Sequence, residues 1–415
     1  MALIDVFLRR AVKRGTLTLL RPNAATVTFG TPDAAFPDVT LRFADTGVAG
    51  AIVRNPSLSA GELYMNGRMI VEGGEAMDLV RLLTANDPWE GGTDNLSSSL
   101  GWRMLGAVRH RLGRINMERR SHRNVAHHYD LSDRLYSLFL DEDRQYSCAY
   151  FRSPDDTLEE AQSAKKAHIA AKLAIRPGMR VLDIGCGWGG MALYLHRHTG
   201  AEVLGITLSQ EQLKVARARA EAAGVADKVR FELIDYRKVE GTFDRIVSVG
   251  MFEHVGPPQY RTFFRQCRKL LTPDGVMLLH TIGRLGGPGV TDDYTAKYIF
   301  PGGYNPALSE IVRASEPTRL FLTDVEVLRL HYAYTLREWY RRTVAAKEQI
   351  VALYDERFYR MWTWYLAGAA CAFENGSLCN YQLQYSRSRT ALPIVRDYMT
   401  ADEARLMGAP PVIST

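Results

Sequence analysis

Three groups of residues in this chain have types and spacing that could do chemistry. The first is the run "VLDIGCGWGG", in which Asp183, Gly185, Gly187 and Gly189 follow an apolar stretch and open a helical pattern. Glycines there let the backbone turn tightly and approach a ligand at the carboxyl edge of a strand. The second group is Thr207 and Gln212 in "GITLSQEQ", with Asp235 and Tyr236 in "LIDYR". The third is "QYSCAYF", residues 145–151, which sets the thiol of Cys148 among aromatic rings. Its residue types alone leave open a nucleophile, a metal ligand or a packing thiol.

A glycine-rich loop is shared by several nucleotide-binding sites, and glycines can also serve only strand–helix packing. Dinucleotide binders usually place Asp or Glu at the end of the second strand, about 20 residues on. Here that strand ends in the neutral hydrogen-bonding groups Thr207 and Gln212. The acid, Asp235, falls at the end of the third strand, where it could accept from an adenine amino group. These two details favour S-adenosylmethionine. Asp183, inside the first strand, could orient the loop or bond the amino-acid end of the cofactor.

The elements that must position these groups are legible as alternation. "PGMRVLDIGCGWGGMALYLHRHTG" reads as strand, turn and helix, and "AEVLGIT", "KVRFELID", "FDRIVSVG" and "GVMLLHTIG" follow as strands separated by helical patterns. The pattern predicts an α/β fold with a doubly wound, Rossmann-like, mostly parallel sheet. Upstream, "TLEEAQSAKKAHIAAKLAI" predicts a helix, with Thr157 as cap and Glu160 as its capping-box partner. Residues 1–88 read as a small α+β domain, with strand-like runs "LTLL", "ATVTFG", "VTLRFA" and "GAIVR" and a closing helix "AMDLVRLLTAN". Residues 89–124 read as a linker and a basic amphipathic helix, and 125–415 as the catalytic domain.

The net charge of +6 is concentrated in that helix: Ser99–Arg123 holds seven arginines and one acid. Such a helix could lie on an anionic membrane, or it could be a solvated linker packed on a neighbour. No nucleic-acid motif accompanies it, so nucleic acid is not expected as a partner. No apolar run reaches the ~20 residues that span a bilayer, and "MWTWYLAGAACAF" reads as a buried helix. The N-terminal charges follow the apolar patch, the reverse of a secretory signal, which predicts a cytoplasmic protein. The five cysteines form no Cys-x-x-Cys pair, so no zinc site or disulfide framework is expected.

"LDIGCGWGG", "GITLSQEQ", "VSVGMFEHVG", "YIFPGG" and "HYAYTLREW" occur in this order, preceded by "SHRNVAHHYDLSDRLYSLFLDEDRQYSCAYF". Together they resemble the bacterial cyclopropane fatty acyl phospholipid synthases and the mycolic acid cyclopropane synthases. The resemblance runs from about Ser121 to Phe373. It implies transfer of a methyl group from S-adenosylmethionine to a cis double bond of an acyl chain, with closure of a cyclopropane ring. Such a site needs an apolar pocket, stabilisation of a developing cation and a base; aromatic faces contribute ~1–2 kcal/mol to a desolvated cation. The resemblance further implies bicarbonate as the base, held by Cys148, Glu253, His280, Ile282 and Tyr332, and cofactor contacts from Tyr146 and Ser147.

Glu253 would be a second acceptor beside an anion, which predicts a raised pKa and a proton shared between the two. Cys148 is not expected to be a nucleophile, because methyl transfer is a direct displacement and no cation adjoins it in sequence. His128 and His254 are expected to be structural. The resemblance also implies a homodimer, peripherally bound at the inner face of the membrane, acting on phospholipid acyl chains. Two other outcomes stay open: a methyl- or methylene-branched chain from the same scaffold, and, more remotely, a small-molecule N- or O-methyltransferase.

Overall fold

The computed structural model describes residues 2–92 and 133–408. The basic run Ser99–Arg123 and His128 lie outside the described residues. The chain divides into two compact units.

In the first unit, β1 (Gly15–Leu20), β2 (Val27–Thr31), β3 (Asp38–Phe43) and β4 (Met69–Gly73) form a sheet of order β2-β1-β3-β4. β1 pairs antiparallel with β2 and parallel with β3. Alternation puts Leu17, Leu19, Val39 and Leu41 on one buried face, against Ile4 and Leu8 of the helix Leu3–Ala11. "GAIVR" is not a strand but the end of the helix Gly47–Arg54. Val48 and Ile52, four residues apart, are its buried residues, and Asn55 then caps a further helix whose first residue is Pro56. The fourth strand is instead "MIVEG".

The first unit also takes in residues 290–301 and 332–378, so it does not end near residue 88 as the composition suggests. Late segments return to early ones through specific contacts. A Cβ on Gly61 would stand 2.4 Å from the Tyr294 ring and 2.8 Å from the Trp364 indole, so only glycine lets the helix Pro56–Met65 approach them. Lys297 and the Tyr298 hydroxyl both donate to Glu62, at 2.6 and 2.7 Å. The Tyr340 hydroxyl accepts from the Met77 amide at 3.3 Å. The predicted buried helix is Glu356–Glu374, capped by Asp355 and burying Trp362, Leu366 and Ala370. No helix among the described residues is long and apolar enough to cross a membrane.

The second unit is built on a seven-stranded sheet of order β10-β11-β9-β8-β5-β6-β7. Its strands are β5 (Arg180–Ile184), β6 (Glu202–Thr207), β7 (Val229–Leu233), β8 (Phe243–Val249), β9 (Leu271–Arg284), β10 (Phe321–Leu328) and β11 (Leu378–Ser386). β5 pairs parallel with β6 on one side and with β8 on the other. The winding therefore reverses at β5, and such a reversal leaves a crevice at the carboxyl ends of the strands. The antiparallel pair β10–β11 extends the sheet beyond the strands that alternation predicted. The helix Leu158–Leu173 begins at the expected box: Thr157 Oγ1 accepts from the Glu160 amide at 3.2 Å, and Glu160 Oε2 accepts from the Thr157 amide at 2.9 Å.

Candidate active site

The crevice above β5 is a pocket lined by nine of the ten residues read as cofactor contacts: Tyr146, Ser147, Asp183, Gly185, Gly187, Thr207, Gln212, Asp235 and Tyr236. Gly189 is the exception, and its role is packing. At φ +84° it precedes the helix Gly190–Thr199, and a Cβ there would meet the Phe231 ring at 2.7 Å. Gly185, also at φ +84°, lies against Met251, whose Cβ would be 2.8 Å from an added Cβ. Gly187, at φ +54°, faces open space. Its place in the pocket wall leaves room for a ligand to approach the backbone there. The loop is anchored by the amides of Gly185 and Cys186, which both donate to the Ile206 carbonyl at 2.9 and 3.0 Å.

Asp183 is buried and its Oδ2 has no hydrogen-bond partner among the described residues. Burial pushes its carboxyl up to about 7, with Lys165 partly offsetting the rise. A buried carboxylate oxygen directed at a pocket is costly unless a cationic donor arrives. The residues fit S-adenosylmethionine: a glycine cradle, an unpartnered acid for an ammonium group and mixed polar and apolar walls.

Two assigned contacts have a second occupation. Thr207 Oγ1 donates to Gln212 Oε1 at 3.0 Å, which leaves the Gln212 amide nitrogen as the group free of that bond. Asp235 accepts from the Arg237 backbone at 2.9 Å and from its guanidinium at 2.8 and 2.6 Å, so it also pins the turn Tyr236–Lys238.

Beside the pocket lies part of the cluster read as the base site. Glu253 Oε1 accepts from the Ile282 amide at 2.6 Å, joining the turn after β8 to the end of β9. Glu253 Oε2 is buried with no partner among the described residues, and burial raises the carboxyl to about 7 despite the Ile282 bond. His280 is paired with Val249 across β8–β9, and its carbonyl accepts from the Gly250 amide at 3.0 Å. Burial pushes its imidazole down to about 3, so it is neutral. Gln382 and Asn380 of β11 approach its two ring nitrogens at 3.2 and 3.4 Å. A neutral imidazole has one donor and one acceptor, so one of these amides presents its oxygen. Sequence reasoning missed both residues, because polar side chains facing the interior of a strand carry no local signature.

Cys148 is buried and its thiol donates to the Ala149 carbonyl at 3.3 Å. A cation does act on it: Lys165, seventeen positions away, interacts electrostatically with Cys148. Tyr332 belongs to the first unit, where its ring packs on Trp339 and Phe373, whereas the other four cluster residues belong to the second. His254 lines the cofactor pocket while Glu253 does not. Phe252–His254 is a 3-10 turn, which sends these two neighbours into different surroundings. Arg144, Gln145, Trp188 and Met251 also line the pocket and were not anticipated, since no motif types them as ligands.

A doubly wound sheet with a glycine-loop pocket at its reversal point is common to several classes of nucleotide-binding enzyme, and similarity to known proteins makes this one an S-adenosylmethionine-dependent methyltransferase. The chain belongs to the family described as mycolic acid cyclopropane synthetase, which matches residues 116–383. It is 46% identical over 260 residues to the cyclopropane-fatty-acyl-phospholipid synthase of Escherichia coli K12, covering 63% of this chain and 66% of that protein. It is 42% identical over 303 residues to a probable fatty acid methyltransferase of Pseudomonas putida, covering 68% and 76%. Among solved structures, mycolic acid cyclopropane synthase CmaA1 in complex with SAH and CTAB is similar at 36% identity and TM-score 0.61, covering 64% of this chain and 98% of that one.

Proposed function

We infer that the protein transfers the methyl group of S-adenosylmethionine to a cis double bond of a phospholipid acyl chain and closes a cyclopropane ring, with bicarbonate as proton acceptor. The observation that carries this reading is the Glu253–Ile282 pair: a buried carboxyl raised by burial to about 7, with one oxygen bonded to the Ile282 amide and the other without a hydrogen-bond partner among the described residues. When bound, S-adenosylmethionine supplies an electrophilic methyl group and bicarbonate a proton acceptor. The chain's own residues do the rest. The glycine loop and Asp183 hold the amino-acid portion of the cofactor. Protonated Glu253 donates from Oε2 to an anion that a carboxylate would repel. Neutral His280 supplies one further polar group without adding charge. Cys148 contributes mainly through its main chain.

The similarity to a cyclopropane-fatty-acyl-phospholipid synthase supports a lipid substrate; a homodimer associated peripherally with the inner face of the membrane is part of the same proposal. The similarity to a probable fatty acid methyltransferase favours a second outcome, a methyl- or methylene-branched chain. The test is expression in a host that lacks cyclopropane lipids, followed by gas chromatography, mass spectrometry and proton NMR of the acyl chains. High-field ring protons are expected. A branched product of the same mass would retain the cofactor assignment and overturn the account of the base.

A further inference from the structure

The helix Leu158–Leu173 carries a lysine, Lys165, that is fully buried. A buried ammonium is costly unless it is fully bonded, and its side chain is expensive to order. Lys165 Nζ donates to Gln145 Oε1 and to Ser147 Oγ, each at 2.8 Å. Three positions earlier on the same helical face, Gln162 Nε2 donates to the carbonyls of the same two residues, at 3.1 Å to Gln145 and 3.0 Å to Ser147. The helix thus grips this segment twice, by its side chains through Lys165 and by its main chain through Gln162. Asp141 closes the near end by accepting from the Gln145 amide at 2.8 Å. At the far end the Tyr150 amide donates to the Ala161 carbonyl at 3.0 Å.

Gln145, Tyr146 and Ser147 all line the cofactor pocket. They belong to no helix or strand, so the backbone ladders of regular structure do not fix them. We propose that Gln162 and Lys165 are positioning residues that clamp the Gln145–Ser147 segment in the shape that receives S-adenosylmethionine. The two residues do not line the pocket themselves and act through the segment they hold. The lysine also faces Asp183 and Cys148 electrostatically, so the same clamp sets the field behind the acid that awaits the cofactor ammonium. The inference rests on the cofactor assignment and is independent of the lipid product.

The test is calorimetric titration of the full chain with S-adenosylmethionine, together with steady-state kinetics on unsaturated phospholipid vesicles. Lys165→Met keeps the apolar stem and removes both charge-assisted bonds. It is expected to weaken cofactor binding by roughly tenfold to a hundredfold, and to raise KM for the cofactor by more than it lowers kcat at saturation. Ser147→Ala combined with Lys165→Met should lose less than the sum of the two single losses, because the Lys165–Ser147 bond is removed by either one. Gln162→Ala, which removes no charge and is the safer variant to fold, should weaken binding in the same direction and less. Unchanged cofactor affinity in either folded single variant overturns the clamp. So do strictly additive losses, or a lowered melting temperature with KM and kcat both unmoved. A wild-type chain that fails to bind S-adenosylmethionine would instead sink the cofactor assignment.

Discussion

Asp183 shows how a functional carboxyl is held at a cost to the fold. Its carboxyl is raised from the ordinary range to about 7 by burial, so it contributes stability below about pH 4 that is lost as pH rises through about 7. Asp183→Asn should therefore stabilise the ligand-free protein at pH 8, by on the order of 2–4 kcal/mol, while abolishing S-adenosylmethionine binding. Paired melting curves and calorimetry check both halves. Glu253 is raised for the same reason but has a different task. Glu253→Gln should leave cofactor affinity nearly unchanged and lower turnover by roughly a hundredfold; full retained activity would refute the shared proton. Cys148→Ser preserves size and a donor, and a partial loss of activity is expected. Complete loss with intact cofactor binding would point to a covalent or acid–base role for the thiol.

At the scale of the element, the glycine loop separates into backbone freedom, close packing and ligand approach. Gly189→Ala combines a left-handed φ with a collision against Phe231, so it should cost about 1–3 kcal/mol of stability. Gly187→Ala meets no neighbouring atom and should cost about 1 kcal/mol, but its methyl group stands out from the pocket wall into open space and should weaken cofactor binding. Denaturant titrations and calorimetry on the pair distinguish the two roles. The capping box of the helix Leu158–Leu173 is worth about 1 kcal/mol, and Thr157→Ala would loosen the helix that grips Gln145 and Ser147.

Over the whole molecule, buried ionisable groups pull stability in opposite directions. Asp183 and Glu253 lose stability between about pH 4 and about 7. His254 and His280, pushed down by burial to about 4 and about 3, are neutral in the fold and gain stability as pH rises toward their ordinary value of 6.5. These trends offset one another below about pH 6.5. Above it the histidine gain is exhausted. His168 then adds a further loss: burial alone would lower it, but its bonds to Glu326 and Glu403, both at 2.7 Å, raise it above 6.5. Those bonds tie β10 and the helix Asp397–Gly408 to one imidazole, and they weaken as it deprotonates. The ligand-free protein should therefore show a melting temperature that is nearly flat between about pH 5 and 6.5 and falls toward pH 8, while below about pH 4.5 the carboxylates held low in the fold, Glu326 and Asp143 among them, add a separate loss. His168→Gln should flatten the upper part of that decline.

The residue order by itself determined the strand–loop–helix alternation of the second unit, the glycine loop, the capping box at Thr157 and nine residues that line the pocket above β5. Each of these is local: a period, a turn or a cap is written in neighbouring positions and needs no distant partner. Tertiary structure alone decided the rest. Asn380 and Gln382 reach His280 across about a hundred positions of sequence, and the 290–301 and 332–378 segments return to a domain that composition closes near residue 88. Lys165 reads in sequence as one more charge on a helix, and "GAIVR" as one more strand. Burial turned the lysine into a ligand for Gln145 and Ser147, and packing of Val48 and Ile52 on one face turned the strand-like run into a helix. Both outcomes depend on which surface each residue meets, and that is set only when the chain closes on itself.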